Sequence, residues 1–193
     1  SGINGLPTLS FNGTSSTLAI PDSNTISPDT GITVFAVVEL ATVTPVNSTM
    51  SILTKDISTG ITNPAYGLFT NSATDSRFII NGPGNIGNSA SIGTSGIALT
   101  VNTPYVFCGS FSTAQSLIQI KFNPSSAAYT STAINTIVHS TAPLRIGQQK
   151  IGSNRFWSGY ISEIIMYNRA LKSSEMNDIN HYLTQKYGII FSS

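Results

Sequence analysis

Hydrophobic positions along this chain come in short runs of four to ten residues, separated by Gly, Asn, Pro and Ser, and this punctuation predicts an all-β sandwich or barrel. The runs predict strands at Thr8–Phe11, Thr17–Ile20, Ile32–Leu40, Met50–Lys55, Tyr66–Thr70, Arg77–Asn81, Ala98–Val101, Tyr105–Phe111, Leu117–Phe122, Leu144–Gly147 and Gly159–Asn168. Two of them, Ile32–Leu40 and Ile161–Tyr167, are apolar at successive positions, which predicts strands covered on both faces. Leu117–Phe122 alternates apolar with polar and reads as half-exposed. The segments 81–88 and 148–154 read as loops. Only the end of the chain has a helical period. Met176, Ile179, Leu183 and Tyr187 form one stripe, with Ser173 or Ser174 as the expected N-cap, acids in the first turn, Lys186 in the last, and Gly188 as the stop.

Composition narrows the classes. At 193 residues the chain suits one undivided β domain spanning 1–193, large enough to bury a core without a disulfide or metal. Charged residues are 9% of the total and the net charge is +1, so solubility rests on Ser, Thr, Asn and Gly. Scattered cations and near-zero charge argue against nucleic acid as a partner. No apolar run is long enough to span a bilayer. The chain begins at Ser1 without Met, which suggests a piece of a longer protein. A single cysteine, Cys108, rules out an internal disulfide and reads as a core residue.

Three segments carry a family resemblance. The first is Asn4-Gly-Leu-Pro-Thr-Leu-Ser-Phe-Asn-Gly-Thr14 leading to Leu18–Asp22, and the second is Ile52-Leu-Thr-Lys55 with Tyr66-Gly-Leu-Phe69. The third is Pro143-Leu-Arg-Ile-Gly147 followed by Trp157-Ser-Gly-Tyr-Ile-Ser-Glu-Ile-Ile-Met-Tyr-Asn-Arg-Ala-Leu171 and the closing helix. The chain resembles the laminin G-like branch of the concanavalin A-like jelly rolls, found in lectin-like modules and in phage and viral surface proteins. The resemblance implies a sandwich of two antiparallel sheets with one C-terminal helix. It implies no single chemistry, because the fold hosts lectins, hydrolases and adhesion modules.

Catalysis is not expected. Glycoside hydrolysis needs two carboxylates close together, and the eight acids form no Glu-x-Asp-x-x-Glu strand pattern. Glu163 reads as a buried acceptor, paired with Arg145, Arg169 or loop N–H groups. His139 and His181 suggest no site.

Binding is the better expectation. Sugar recognition joins an aromatic face to planar polar side chains. Trp157 beside Gln148, Gln149, Asn154 and Arg155 is the candidate, with Tyr66 and Arg77 as secondary ones and core packing as the alternative for Trp157. Relatives of this kind hold Ca²⁺ with loop carboxylates and backbone carbonyls, so Asp22 and Asp56 are candidate ligands. Asn12-Gly-Thr14 and Asn47-Ser-Thr49 match the N-glycosylation pattern, at a frequency chance explains here. The expected function is a non-catalytic glycan-binding module of a virion or extracellular surface protein, recognising a glycan or host receptor. The alternative is a structural domain contacting neighbouring virion or fibre subunits.

Overall fold

A computed structural model describes residues 2–42, 49–57, 64–72, 75–84, 89–93, 99–123, 127–149 and 155–190. In chain order the strands are β1 (Leu9–Asn12), β2 (Leu18–Ile20), β3 (Gly31–Leu40), β4 (Met50–Asp56), β5 (Pro64–Ser72), β6 (Asp75–Asn81) and β7 (Ser89–Gly93). There follow β8 (Pro104–Ser112), β9 (Leu117–Asn123), β10 (Ala127–Ser131), β11 (Leu144–Ile146), β12 (Gln148–Gln149), β13 (Arg155–Phe156) and β14 (Ser158–Tyr167), and helix α1 (Ser173–Tyr187) closes the chain. One six-stranded sheet, here sheet A, has the order β1-β14-β3-β8-β9-β10, and a second, sheet B, has the order β2-β11-β4-β5-β6-β7. Every pairing is antiparallel, and β12 with β13 makes a separate two-stranded hairpin. This is the concanavalin A-like jelly-roll sandwich that the resemblance implied.

The doubly apolar strand β3 is explained by alternation. Its Ile32, Val34, Ala36, Val38 and Leu40 join the core between the sheets. Phe35 and Val37 point the other way, into a second cluster with Leu171, Met176, Leu183 and Tyr187 of the helical end. Successive residues of a strand face opposite sides, so the helix turns the outer face of sheet A into a second core. Burying large side chains such as Leu183, 0% exposed, stabilises that contact by about 1.5–3 kcal/mol each. Cys108 lies in this layer, and burial pushes its thiol up to about 12.

The helix stripe falls where its period places it, and Gly188 ends the helix in a left-handed conformation at φ 63°. Its start differs from expectation. Lys172, not Ser173 or Ser174, is the N-cap, and the Glu175 carboxylate reaches back to accept the Lys172 backbone N–H at 2.8 Å. Arg169 donates two further bonds to Glu175, and these contacts hold its carboxyl down at about 2. Asn4 donates its amide to the Lys186 carbonyl at 3.0 Å, which ties the beginning of the chain to the end of the helix.

Four strands escape the sequence pattern: β7, β10, β12 and β13. Ser89–Gly93 and Ala127–Ser131 are rich in small and polar residues, and as the far edges of the two sheets they are set by pairing rather than by apolar content. The strand expected at Ala98–Val101 is not formed among its described residues. Leu99 enters the core, but the Thr100 N–H is taken by the Tyr105 hydroxyl at 2.9 Å instead of a ladder carbonyl, and a turn follows at Val101.

Candidate functional site

The residues singled out from sequence go to four different places. Trp157 is 0% exposed and belongs to the core between the sheets, so its ring face is closed to a sugar. Its backbone bridges Gly147 and Gly13, carrying the chain from the β12–β13 hairpin into β14. Tyr66 is equally buried, donates its hydroxyl to the Ile26 carbonyl at 2.7 Å, and has its pKa raised by burial. Both are framework residues rather than ligand contacts.

The hairpin lies on the outer side of sheet B, where Thr54 donates its hydroxyl to the Gln148 carbonyl at 2.9 Å. Gln148 and Gln149 are buried, and Arg155 donates to Gln149 Oε1 at 2.8 Å. The Arg155–Gln149 bond ties the two strands of the hairpin together, and the Gln148 carbonyl ties the hairpin to β4. Asn154 lies outside the described residues. Arg77, on β6, clasps Asp75 at 2.7 Å, and Asn71 and Thr49 extend that chain.

At one corner Asp22 meets Lys55, whose Nζ is 2.5 Å from Asp22 Oδ1 and 2.8 Å from the Ala142 carbonyl. The Lys55 side chain is 1% exposed. Ser27 donates a further bond to Asp22, and the Lys55 bond, followed by that of Ser27, holds the Asp22 carboxyl below the usual range. Asp56 is buried nearby in sequence, with its backbone carbonyl accepting the Ser140 hydroxyl. A Ca²⁺ ion at Asp22 and Asp56 would have to share Asp22 with the Lys55 ammonium, which already sits on Oδ1 and repels a second cation. The residues present do not fit a calcium site.

Glu163 also has partners other than those expected. It accepts from Lys186 Nζ and the Tyr187 hydroxyl, each at 3.0 Å, and so fastens α1 to β14. Asn12 uses its Oδ1 to accept three backbone N–H groups, of Thr14, Ser15 and Ser16, and its amide nitrogen donates to Ser15 Oγ.

A different arrangement forms where α1 leaves sheet A uncovered. Glu39, near the end of β3, pairs across strands with Tyr160 of β14 on one side and Pro104 of β8 on the other. Directly opposed side chains lie about 4.5–5.5 Å apart at Cβ, so the tyrosine ring and the carboxylate stand side by side. Asn102 adjoins them. Its backbone N–H donates to the Leu40 carbonyl at 2.8 Å, and its φ of 55° is one that Asn tolerates better than most residues. Gly2 and Ile3 supply the facing wall, and a Cβ on Gly2 would lie 1.8 Å from the Leu6 carbonyl oxygen, so only glycine fits there.

Together Gly2, Ile3, Glu39, Asn102 and Tyr160 line a pocket of about 270 Å³. Tyr160 is 36% exposed. The side chains of Glu39, Asn102 and Tyr160 make no hydrogen bond or ion pair with the described residues, which leave their bonding capacity unused. A second pocket, of about 360 Å³ between Gly82-Pro83 and residues 133–136, has no charged or aromatic side chain in its lining. Sequence reading missed the first pocket because its three polar residues lie far apart in the chain. Their only signal was Glu39, the one charge in an apolar run.

Comparisons with known proteins agree with the architecture. No curated protein sequence matches the chain closely enough to count as a relative. Among solved structures it is similar to a native heptameric SAP-like pentraxin from Limulus polyphemus, with 18% identity, a TM-score of 0.61, and coverage of 89% of this chain and 80% of the other. It is similar to domains LG4-5 of the mouse laminin α1 chain, with 11% identity, a TM-score of 0.63, and coverage of 86% and 44%. It is also similar to NanB sialidase from Streptococcus pneumoniae, with 12% identity, a TM-score of 0.66, and coverage of 88% and 26%. The chain thus spans less than half of the laminin fragment and about a quarter of the sialidase, and at these identities the likeness concerns the fold. Among the described residues no helix is long and apolar enough to cross a membrane. The laminin G family model, described as the concanavalin A-like lectin/glucanases superfamily, matches residues 12–177, and the chain belongs to that family.

Proposed function

We propose that this domain is a non-catalytic glycan-binding module of an extracellular or virion surface protein, and that it holds its ligand in the Glu39–Asn102–Tyr160 pocket. The observation that carries this reading is the unspent capacity of three side chains of the right kinds around one concavity. An exposed tyrosine ring offers a face to the C–H side of a pyranose and a hydroxyl at its edge. A carboxylate accepts from sugar hydroxyls, and an amide both donates and accepts. The family's fold often serves carbohydrate binding, which supports the class of ligand. Against hydrolysis, the lining contributes a single carboxylate, whereas the two-carboxylate mechanism needs a second at about 5–9.5 Å.

The test is a glycan array probed with the domain displayed multivalently. Saturable binding to a defined glycan group, lost in Tyr160→Ala with the fold intact, is the expected result. A silent array, or binding that Tyr160→Ala leaves untouched, would overturn the assignment.

One observation favours a second reading, assembly with neighbouring protein subunits. Leu9, Leu18 and Ile20 are 54%, 44% and 41% exposed, and all lie on β1 and β2, the edge strands at one side of the sandwich. Exposed apolar edges are natural pairing sites. A mass that rises with concentration in sedimentation, and falls back in Leu18→Lys, would support it; a monomer at all concentrations would not.

A further inference from the structure

Resting on the pocket assigned above, we infer that it selects uncharged sugars and rejects sialylated, uronate-bearing and sulfated ones, with Glu39 as the specificity-determining residue. Among the described residues the pocket's only charged side chain is a carboxylate, that of Glu39. A carboxylate is an acceptor alone, so it bonds well to a hydroxyl donor and repels a second anion. Anion recognition ordinarily uses Arg or Lys, whose charge-assisted bonds are the strong ones. Among the described residues no such side chain lines this pocket. Lys186, on the helix that packs against this face, is committed to Glu163 and Tyr182.

Nor does the rest of the molecule compensate. With a net charge of +1 the chain has little field to draw an acidic ligand toward an acidic pocket. Glu39 is held in place by strand pairing on both sides, and the Asn102 turn is anchored to the next carbonyl of the same strand. The Glu39 Cα is therefore fixed beside the pocket, and its carboxylate stays within a side chain's reach of any ligand there. Asn102 and Tyr160 are neutral donors and acceptors that suit vicinal hydroxyls. Uncharged hexose is the ligand that satisfies all three groups at once.

The experiment is a printed array of oligosaccharides in matched pairs, each neutral chain beside its sialylated or sulfated counterpart, probed with wild type, Glu39→Gln and Tyr160→Ala. Wild type is expected to favour the neutral member by about tenfold or more, on the scale of one close like-charge contact. Glu39→Gln keeps a planar hydrogen-bonding side chain without the charge, and should bring the ratio within each pair toward one. Equal or stronger wild-type binding to the acidic member would overturn the inference while leaving the pocket assignment standing, provided Tyr160→Ala abolishes it. A neutral preference that Glu39→Gln does not change would overturn it too. Binding to neither member of any pair would defeat the pocket assignment itself, and this inference with it.

Discussion

Asp22 and Glu39 are both carboxylates at the rims of the same sandwich, and the difference between them lies in what surrounds them. Asp22 accepts from Lys55 and Ser27, and the Lys55 ammonium also reaches the Ala142 carbonyl. Both bonds end on Asp22 Oδ1, so the ammonium neutralises that carboxylate and leaves no unpaired charge for a ligand. Glu39 faces an exposed ring and an amide across a pocket, with no bond to the described residues. Buried polar groups need partners because leaving one unmade costs the full desolvation of that group. At the Asp22 corner the buried Lys55 ammonium imposes that requirement and makes the carboxylate part of the framework. At the half-buried Glu39 no described cation takes up the carboxylate, which opens onto the pocket with bonding capacity for a guest.

If this contrast is right, the two regions respond oppositely to substitution. Lys55→Ala leaves the buried end of its site without a cation and should lower the melting temperature by on the order of 10 °C. Glycan binding measured on the remaining folded protein should be unchanged. Tyr160→Ala should do the reverse, weakening glycan binding by about ten- to a hundredfold while moving the melting temperature by no more than about 2 °C. A variant that changed both properties together would break the distinction.

Acid should sharpen it further. The carboxyls of Asp22, Asp75 and Glu175 are all held below their usual values, Asp22 and Glu175 first by their side-chain bonds to Lys55 and Arg169. For Asp75 burial opposes, and the bonds from Arg77 and Asn71 prevail. A depressed folded-state value stabilises the fold above the unfolded value near 4, and that stability is lost as pH falls through the folded value. Melting temperature should therefore hold from neutral pH to about 5 and decline below about 4, down toward the Glu175 value of about 2. The smallest expected effect is that of calcium. With the Lys55 ammonium on Asp22 Oδ1 repelling a second cation, added Ca²⁺ or a chelator should shift the melting temperature by less than about 1 °C, since only a ligand that binds the native state stabilises it. A clear calcium-dependent rise would place a cation site that these side chains do not make.

Periodicity carried the architecture because it reports burial directly. The apolar run of β3 anticipated two covered faces, and the Met176–Tyr187 stripe anticipated the helix that covers one of them. It could not separate a core aromatic from a ligand-facing one. Trp157 sits among polar neighbours in sequence, yet the chain crosses there from one sheet to the other and draws the ring inside. Arg155, Gln148 and Gln149 look like a polar loop but form a hairpin, in which Arg155 bonds Gln149 and Gln148 is buried against β4. The Glu39 pocket needed something no local pattern contains, the register that sets Glu39 opposite Tyr160 and the turn that brings Asn102 to the end of β3.

The most direct test of the binding site is a two-dimensional NMR titration of the isotopically labelled domain with lactose, cellobiose and maltose to millimolar concentration. Saturable shifts confined to Gly2, Ile3, Glu39, Asn102, Tyr160 and their strand neighbours are predicted, with Asp22, Lys55 and the β12–β13 hairpin unmoved. Shifts centred on the hairpin or the Asp22 corner, or none with any of the three sugars, would contradict the account.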